Sequence, residues 1–175
     1  MRKAVFLDRD GIINRKAPEG EYILRRVDFV LLPGVADSIR LLNQAQFAVI
    51  VVTNQRCIAK GLLSTEALED IHHYMVECLA ALNARIDYIY HCPHDSAAGC
   101  PCRKPAPGMI HRAVKDHFLD LAQSWMIGDS DSDVQAGKTA GCKTVRVLRQ
   151  GVTPQVEADL TVGSLPAAVA AILRV

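Results

Sequence analysis

Two aspartates near the start of the chain stand at a spacing that suits phosphoryl transfer. Asp8 and Asp10 follow the apolar stretch AVFL with one residue between them, and Gly11 comes next and permits a sharp turn. The carboxylate of Asp8 can attack phosphorus to form an aspartyl-phosphate, while Asp10 can protonate the leaving oxygen and then activate water. An isolated aspartate after a strand more often caps a turn or a helix, so this interpretation depends on what accompanies the pair.

Later polar residues supply the groups that such a reaction needs. Thr53 and Asp129 each follow an apolar stretch, and Lys104 precedes a helical pattern. A hydroxyl and an ammonium group like those of Thr53 and Lys104 can surround the oxygens of a phosphoryl group. Asp8 and Asp129 would face each other across a crevice, where two carboxylates repel unless a cation joins them. Oxygen ligands suit magnesium, which predicts a Mg²⁺ site.

A separate cluster of sulfur and imidazole groups lies in the stretch HCPHDSAAGCPCRKP, residues 91–105. It contains Cys92, Cys100 and Cys102, and in a reducing compartment such clustering favours a metal site over a disulfide. A nucleic-acid-binding zinc knuckle is an alternative, but it would need aromatic stacking residues and a basic face, and this loop offers neither.

The predicted elements alternate between strands and helices. Short, continuously apolar stretches predict strands at 4–8, 47–54, 86–92, 124–130, 144–148 and 158–162, and helical spacing predicts helices at 34–45, 64–84, 107–119, 132–141 and 164–173. Strands of this kind are typical of a parallel sheet covered on both faces. We therefore predict an α/β fold with a doubly wound, mainly parallel, Rossmann-like sheet, in one domain that spans residues 1–175. The site residues would follow the carboxyl ends of strands, where such sheets bind ligands.

Charge and hydropathy narrow the possible partners. The net charge is +1, so no global field directs the chain to nucleic acid or to an anionic membrane. The first ten residues lack the apolar core of a signal peptide, and no stretch approaches the roughly 18 apolar residues of a membrane helix, which predicts a cytoplasmic protein. We expect surface or half-buried positions, and no functional role, for the histidines in helical patterns: His72, His73, His111 and His117.

Taken in order, DxD, Thr, Lys and GDxxxD resemble the signature motifs of the haloacid dehalogenase superfamily of phosphohydrolases over residues 4–149. The resemblance implies the haloacid dehalogenase fold, with Asp8 as the nucleophile and Asp10 as the general acid and base. Thr53 and Lys104 would hold the phosphoryl group.

The same resemblance implies the magnesium ligands. Asp8, Asp129 and the backbone carbonyl of Asp10 would bind Mg²⁺, and Asp133 would orient the site. Ser130 differs from the lysine that this family often has after the metal-binding aspartate.

A branch of the superfamily carries a zinc loop of the form CxH followed by CxCRKP, and this chain has both parts. The resemblance implies a structural Zn²⁺ ion in a loop insert, residues 91–105, held by Cys92, His94, Cys100 and Cys102. His91 is a rival for the imidazole ligand. Our hypothesis is that zinc fixes Arg103 and Lys104 relative to Asp8.

The branch includes phosphatases of heptose 1,7-bisphosphate and of histidinol phosphate. The stretches FLDRDGIIN, VVTNQ and CRKPAPGMI resemble the heptose-bisphosphate enzymes, which act in the biosynthesis of activated heptose. Histidinol-phosphate and polynucleotide-end phosphatases are the alternatives. By resemblance, Arg103 contacts the non-reacting phosphate of a small phosphorylated sugar, and Asn54 and Gln55 line the sugar.

Two further expectations concern the surroundings of the pocket. Only residues 14–28 and the zinc loop can cover it, so the cap is minimal, and a monomer is the default for the family. Arg56 and Cys57 replace the serine and glycine that the family often has there, which points to a difference in anomer preference or in the physiological substrate.

Overall fold

The computed structural model describes residues 1–149 and 151–174, and its centre is a sheet of six strands. The strands are β1 (Ala4–Leu7), β2 (Ala48–Asn54), β3 (Tyr88–Cys92), β4 (Trp125–Gly128), β5 (Lys143–Val147) and β6 (Leu160–Val162). Their order across the sheet is β3-β2-β1-β4-β5-β6, and every neighbouring pair is parallel. The prediction of a doubly wound parallel sheet is confirmed.

Helices cover both faces of this sheet. They are α1 (Val35–Gln44), α2 (Thr65–Ala80), α3 (Gly108–His117), α4 (Asp131–Ala140) and α5 (Leu165–Ile172). Side chains of a strand alternate between faces, so Val5 and Leu7 pack with α1, α2 and α5, whereas Ala4 and Phe6 pack with α3 and α4. Burial on both faces explains why the strands are continuously apolar.

Helix α2 shows how local sequence sets an element's ends. The side chain of Ser64 accepts a hydrogen bond from the backbone N–H of Ala67 and so caps the helix, a position at which serine is common. The helix ends at Ala80 and not at 84, because Asn83 adopts a left-handed backbone with φ of 58°. A left-handed residue cannot continue an α-helix.

The connections place polar residues at one edge of the sheet. The chain leaves β1 for β2 and β3 on one side and returns to β4 on the other, so the strand order reverses between β1 and β4. Such a reversal opens a crevice beyond the carboxyl ends of the strands. Residues 8–34 contain only a short 3-10 helix, Arg26–Asp28, which agrees with the expected minimal cap.

The loop between β3 and α3 contains one short 3-10 helix, Ser96–Ala98. His91 and Cys92 are the last residues of β3, as the strand predicted at 86–92 implies, and they also begin the segment 91–105 that is expected to hold zinc. In the described part of the chain, no helix has both the length and the apolar character that crossing a bilayer requires.

Candidate active site

A buried lysine lies between two buried carboxylates at the edge of the crevice. The Nζ atom of Lys104 lies 2.8 Å from Oδ1 of Asp8 and 2.6 Å from Oδ1 of Asp133, and it also donates to the carbonyl of Val52 at 2.8 Å. Asp8 follows β1, Asp133 belongs to α4, and Lys104 comes from the loop before α3. The topology thus brings three of the predicted residues together.

The charges of this group are strongly coupled. Burial raises the pKa of Asp8 to about 7; Lys104 opposes the rise, and the charges of Asp133 and Asp129 add to it. Burial works against the charged form of Lys104, but Asp133 and Asp8 together raise its pKa. Lys104 therefore stays protonated. A further cation beside Asp8 would favour the ionised form of the Asp8 carboxyl group.

Asp129 completes a cluster of acidic groups that fits a magnesium ion. Asp8, Asp129 and Asp133 each offer a carboxylate oxygen, and these oxygens lie within 4.8 Å of one another. Oδ2 of Asp129 is buried and forms ion pairs with Lys16, whose Nζ atom lies 3.5 Å away, and with Arg149. Carboxylate oxygens that converge in this way are the donors that Mg²⁺ prefers.

Asp133 is fixed by the start of its own helix. Ser130 caps α4, and Oδ2 of Asp133 accepts hydrogen bonds from the Ser130 backbone N–H at 3.0 Å and its hydroxyl at 2.5 Å. A Cβ atom on Gly128 would lie only 2.2 Å from the Cβ of Asp133. The glycine at the end of β4 therefore makes room for this carboxylate.

Asp10 lies beside the same crevice, in a net of hydrogen bonds. Its Oδ1 accepts from Nη2 of Arg9 at 3.0 Å and from Nδ2 of Asn14 at 2.9 Å, and its Oδ2 accepts from Nε2 of Gln55 at 3.1 Å. Burial works against the ionised form, but the charge of Arg9 and these hydrogen bonds lower the pKa of Asp10. The carboxylate is therefore ionised in this arrangement.

Residues at the end of β2 contact both the hydrogen bonds around Asp10 and the loop that carries Lys104. Oγ1 of Thr53 accepts from Nε2 of Gln55 at 2.8 Å. The amide of Asn54 makes two hydrogen bonds with the backbone of Lys104, donating to its carbonyl at 3.0 Å and accepting from its N–H at 3.1 Å. Asn54 thus ties the loop that carries Lys104 to the sheet.

Most of the residues predicted for the active site line one cleft of about 690 Å³. Its lining contains these members of the predicted set: Asp8, Asp10, Thr53, Asn54, Gln55, Lys104, Asp129 and Asp133. Arg103 is not in the lining; its half-buried guanidinium donates to the carbonyl of His94 at 3.2 Å. The segment from Lys16 to Ile23 forms one wall, within the stretch expected to cover the pocket.

The four predicted zinc ligands also converge. Cys92, Cys100 and Cys102 have sulfur–sulfur separations of 3.3 to 3.6 Å, and Nδ1 of His94 lies 3.5 and 3.3 Å from two of these sulfurs. A tetrahedron with zinc–sulfur bonds of about 2.3 Å has edges of about 3.8 Å, so this donor set fits zinc. His91 is outside the cluster, with its ring facing that of His72 at 6.0 Å.

Four residues near the site were not predicted from the sequence. Lys16 and Arg149 pair with Asp129, and Arg9 contacts Asp10. We had expected His72 at the surface or half-buried, and this placement is wrong: His72 is buried, and its Nε2 atom lies 3.2 Å from Nη1 of Arg9. The position of Arg9 between the two aspartates was the available signal.

Comparisons with known proteins give a consistent result. A family model described as HAD-hydrolase-like matches residues 101–174. The chain is 34% identical to D-glycero-β-D-manno-heptose-1,7-bisphosphate 7-phosphatase of Pseudomonas aeruginosa over 99% of both chains. It is 38% identical to the protein of that name from Escherichia coli K12, over 93% of this chain and 89% of the relative.

Solved structures are similar over the same length. The crystal structure of D,D-heptose 1,7-bisphosphate phosphatase from Bordetella bronchiseptica, complexed with magnesium and phosphate, has a TM-score of 0.88 and 34% identity over 98% of each chain. The corresponding protein from Burkholderia thailandensis has a TM-score of 0.73 and 28% identity, over 98% of this chain and 99% of that one. The similarity therefore includes every element that carries the site.

Proposed function

Because the chain belongs to the heptose-1,7-bisphosphate 7-phosphatase family of HAD-hydrolase-like proteins, we propose that it removes the 7-phosphate of D-glycero-D-manno-heptose 1,7-bisphosphate. The observation that carries the proposal is the meeting of Asp8, Lys104 and the acidic cluster in one cleft, with Asp10 beside them. The cleft holds a nucleophile, a proton carrier and cationic groups for a phosphoryl group.

In the first step, an oxygen of Asp8 attacks the phosphorus atom and the bond from phosphorus to the sugar oxygen breaks. Asp10, which is ionised before substrate binds, first takes up a proton from solvent and then gives it to that oxygen, so the sugar leaves as an alcohol. Lys104 is 2.8 Å from Asp8 and can pair with the phosphoryl oxygens, and the hydroxyl of Thr53 can donate to them. Asp8 then carries the phosphoryl group as an aspartyl-phosphate.

In the second step, Asp10 takes a proton from water as the water oxygen attacks phosphorus. The acyl-phosphate bond breaks, Asp8 is restored as a carboxylate, and inorganic phosphate leaves. The hydrogen bonds from Arg9, Asn14 and Gln55 support the ionised Asp10 that this step requires. The sum of both steps is the hydrolysis of a phosphate monoester.

Asp8, Asp129 and the carbonyl of Asp10 would hold the magnesium ion, with Asp133 orienting the group. When bound, Mg²⁺ neutralises charge on the phosphoryl oxygens and keeps Asp8 ionised.

Arg103 is our proposed contact for the phosphate that does not react. A guanidinium has five N–H donors. Among the described residues, the guanidinium of Arg103 forms one hydrogen bond, to the carbonyl of His94. Its place next to Lys104 supports the role, and arginine binds phosphate in a bidentate way. Asn54 and Gln55 line the cleft near the expected position of the sugar.

We propose that Cys92, His94, Cys100 and Cys102 hold a structural zinc ion. Four protein ligands leave no open position, so the metal would stabilise the loop and not react. The clustered cysteines are free thiols, and free thiols persist in a reducing compartment, which supports a cytoplasmic enzyme in the biosynthesis of activated heptose. A monomer remains our expectation.

The test is magnesium-dependent phosphate release from both anomers of heptose 1,7-bisphosphate, beside histidinol phosphate and a phosphorylated DNA end. We expect kcat/KM on one sugar anomer to exceed the other substrates by at least about 100-fold, a difference of about 2.7 kcal/mol. A preference for histidinol phosphate or the DNA end would contradict the proposed substrate while retaining the phosphatase chemistry.

A further inference from the structure

The proposed mechanism uses Arg9 only to support the ionised form of Asp10 in the second step, although Arg9 is the charged residue that contacts Asp10 most closely. Its side chain is completely buried. Nη2 lies 3.0 Å from Oδ1 and 2.9 Å from Oδ2 of Asp10, and Nε lies 3.3 Å from Oδ1. The guanidinium therefore spans both oxygens of the carboxylate, a contact that fixes direction as well as charge.

Arg9 is itself held in place from behind. Its Nη1 lies 3.2 Å from Nε2 of His72 on α2, and its Nη2 lies 3.4 Å from Oε1 of Gln55. Because a guanidinium can only donate, Nε2 of His72 must accept, which requires a neutral ring with its proton on Nδ1. Burial, then the charges of Arg9 and His91, lower the pKa of His72 to about 3. The ring is therefore neutral near pH 7, where its Nε2 atom can accept.

Each oxygen of Asp10 also receives one amide donor. Nδ2 of Asn14 donates to Oδ1 at 2.9 Å, and Nε2 of Gln55 donates to Oδ2 at 3.1 Å. Asn14 and Gln55 are both buried. Donors on both oxygens, two of them from one rigid guanidinium, leave the carboxylate plane little freedom to rotate.

We propose that Arg9 is a positioning residue that sets the direction in which Asp10 transfers its proton to the leaving sugar oxygen, and that His72 anchors Arg9. The inference rests on the proposed phosphatase function and deepens it. Proton transfer needs the donor within hydrogen-bond reach of the oxygen that takes the proton, so a misplaced carboxylate costs rate even when it stays in the site.

A positioning role for Arg9 predicts a loss of rate that depends on the leaving group. A merely structural role of this buried side chain predicts no such dependence. An alkoxide leaves with difficulty unless it is protonated, whereas 4-nitrophenolate leaves as a stable anion. Benzyl phosphate and 4-nitrophenyl phosphate are therefore a matched aromatic pair, of which only the first depends strongly on Asp10 in the first step. The parameter kcat/KM ends at departure of the alcohol, so hydrolysis of the aspartyl-phosphate does not enter the comparison.

The experiment measures kcat/KM for both esters, with saturating Mg²⁺, in the wild type and in Arg9→Met, Arg9→Lys, His72→Leu and His72→Gln. We expect the ratio of benzyl to 4-nitrophenyl phosphate to fall about 100-fold in Arg9→Met and about 10-fold in His72→Leu. Lysine keeps the positive charge but lacks the planar set of N–H donors of a guanidinium. The ratio for Arg9→Lys should therefore lie between those of the wild type and Arg9→Met. Glutamine keeps an acceptor, so His72→Gln should retain a ratio within about 3-fold of wild type.

Asp129→Asn is the matched control, because loss of a magnesium ligand should lower kcat/KM for both esters by the same factor. The proposal is overturned if Arg9→Met and His72→Leu lower both esters together, with the ratio within about 3-fold of wild type. If Arg9→Met does not fold, as judged by circular dichroism and melting, Arg9→Lys and His72→Leu decide by the same ratio.

A separate assay of the wild type with heptose 1,7-bisphosphate distinguishes a failure of the proposed substrate from a failure of the proposed role of Arg9. A wild type that hydrolyses both aromatic esters but not the sugar would contradict the proposed substrate and leave the Arg9 test valid. A normal sugar phosphatase with an unchanged ester ratio in the variants would contradict the role of Arg9 alone.

Discussion

The Nζ atom of Lys104 lies 2.8 Å from Oδ1 of Asp8, although the two residues are 96 positions apart in the chain. Nζ is also 2.6 Å from Oδ1 of Asp133, and all three side chains are buried. One lysine thus compensates two carboxylates, and it joins the loop before α3 to the end of β1. We expect the stability of the site and its chemistry both to depend on this contact.

We expect Lys104→Met to impair folding and catalysis together. The variant leaves two buried carboxylates without their cation, so the free energy of unfolding in magnesium-free buffer should fall by about 3 kcal/mol. Loss of a charge that faces the phosphoryl group should lower kcat at least about 100-fold. Urea unfolding and phosphate release measure the two effects. The exposed Lys115→Met is the control and should change neither; an unfolding free energy equal to wild type in Lys104→Met would disprove the coupling.

Gly128→Ala should damage the site through Asp133. A methyl group on Gly128 would meet Cβ of Asp133 at 2.2 Å and Cγ at 2.3 Å, so the carboxylate must move. We expect a loss of about 1–3 kcal/mol in stability and at least about a 10-fold weaker magnesium affinity, measured by urea unfolding and by calorimetric titration with Mg²⁺. Gly163→Ala is the control, because nothing lies within 4 Å of its added Cβ. Equal magnesium affinities in the two variants would contradict this account of Gly128.

The sequence predicted much of this site because its motifs coincide with strand ends. Parallel strands bring their carboxyl ends to one edge, so Asp8, Thr53 and Asp129 could be placed together without coordinates. The contacts of Arg9 could not be predicted in this way. Periodicity shows that a helix has a buried face, but it does not show which residue of another element lies opposite, so His72 could not be paired with Arg9.

The contacts of the basic residues around the cleft could also not be predicted from the sequence, for a related reason. Arg103 follows the zinc cluster in the chain, but its hydrogen bond to the carbonyl of His94 depends on how the loop folds back. Lys16 and Arg149 reach Asp129 from two distant segments that carry no motif. Long basic side chains on loops have many reachable partners, and only tertiary structure selects among them.

The neutral state of His72 predicts a pH dependence of stability. Its pKa of about 3 in the folded protein lies below the value of about 6.5 expected in the unfolded chain. The unfolded state therefore takes up a proton first as the pH falls, and stability that is full above pH 6.5 is lost progressively toward pH 3. Between pH 7 and pH 5, the wild type should lose about 2 kcal/mol more than His72→Gln in urea unfolding. Parallel curves for the two proteins would show that His72 is not the titrating group.

Zinc removal should loosen the loop that carries Lys104. Cys100→Ser removes one of four converging ligands, whereas Cys78, on α2, is outside the cluster. Because the binding energy of a structural metal is folding energy, Cys100→Ser should lose zinc by elemental analysis, melt at a lower temperature and be cleaved by protease between residues 93 and 105. Cys78→Ser should keep its zinc. Full activity and unchanged melting in zinc-free protein would contradict the positional role of the metal.

The central claim is that Asp8 carries the phosphoryl group, and a chemical trap tests it most directly. Excess enzyme is mixed with heptose 1,7-bisphosphate and Mg²⁺, quenched within one turnover and treated with borohydride, which reduces an acyl-phosphate to an alcohol. We expect peptide mass spectrometry to find Asp8 converted to homoserine, and to find no conversion with Asp8→Asn or without substrate. Full turnover by Asp8→Asn, or trapping at a different carboxylate, would contradict the assignment.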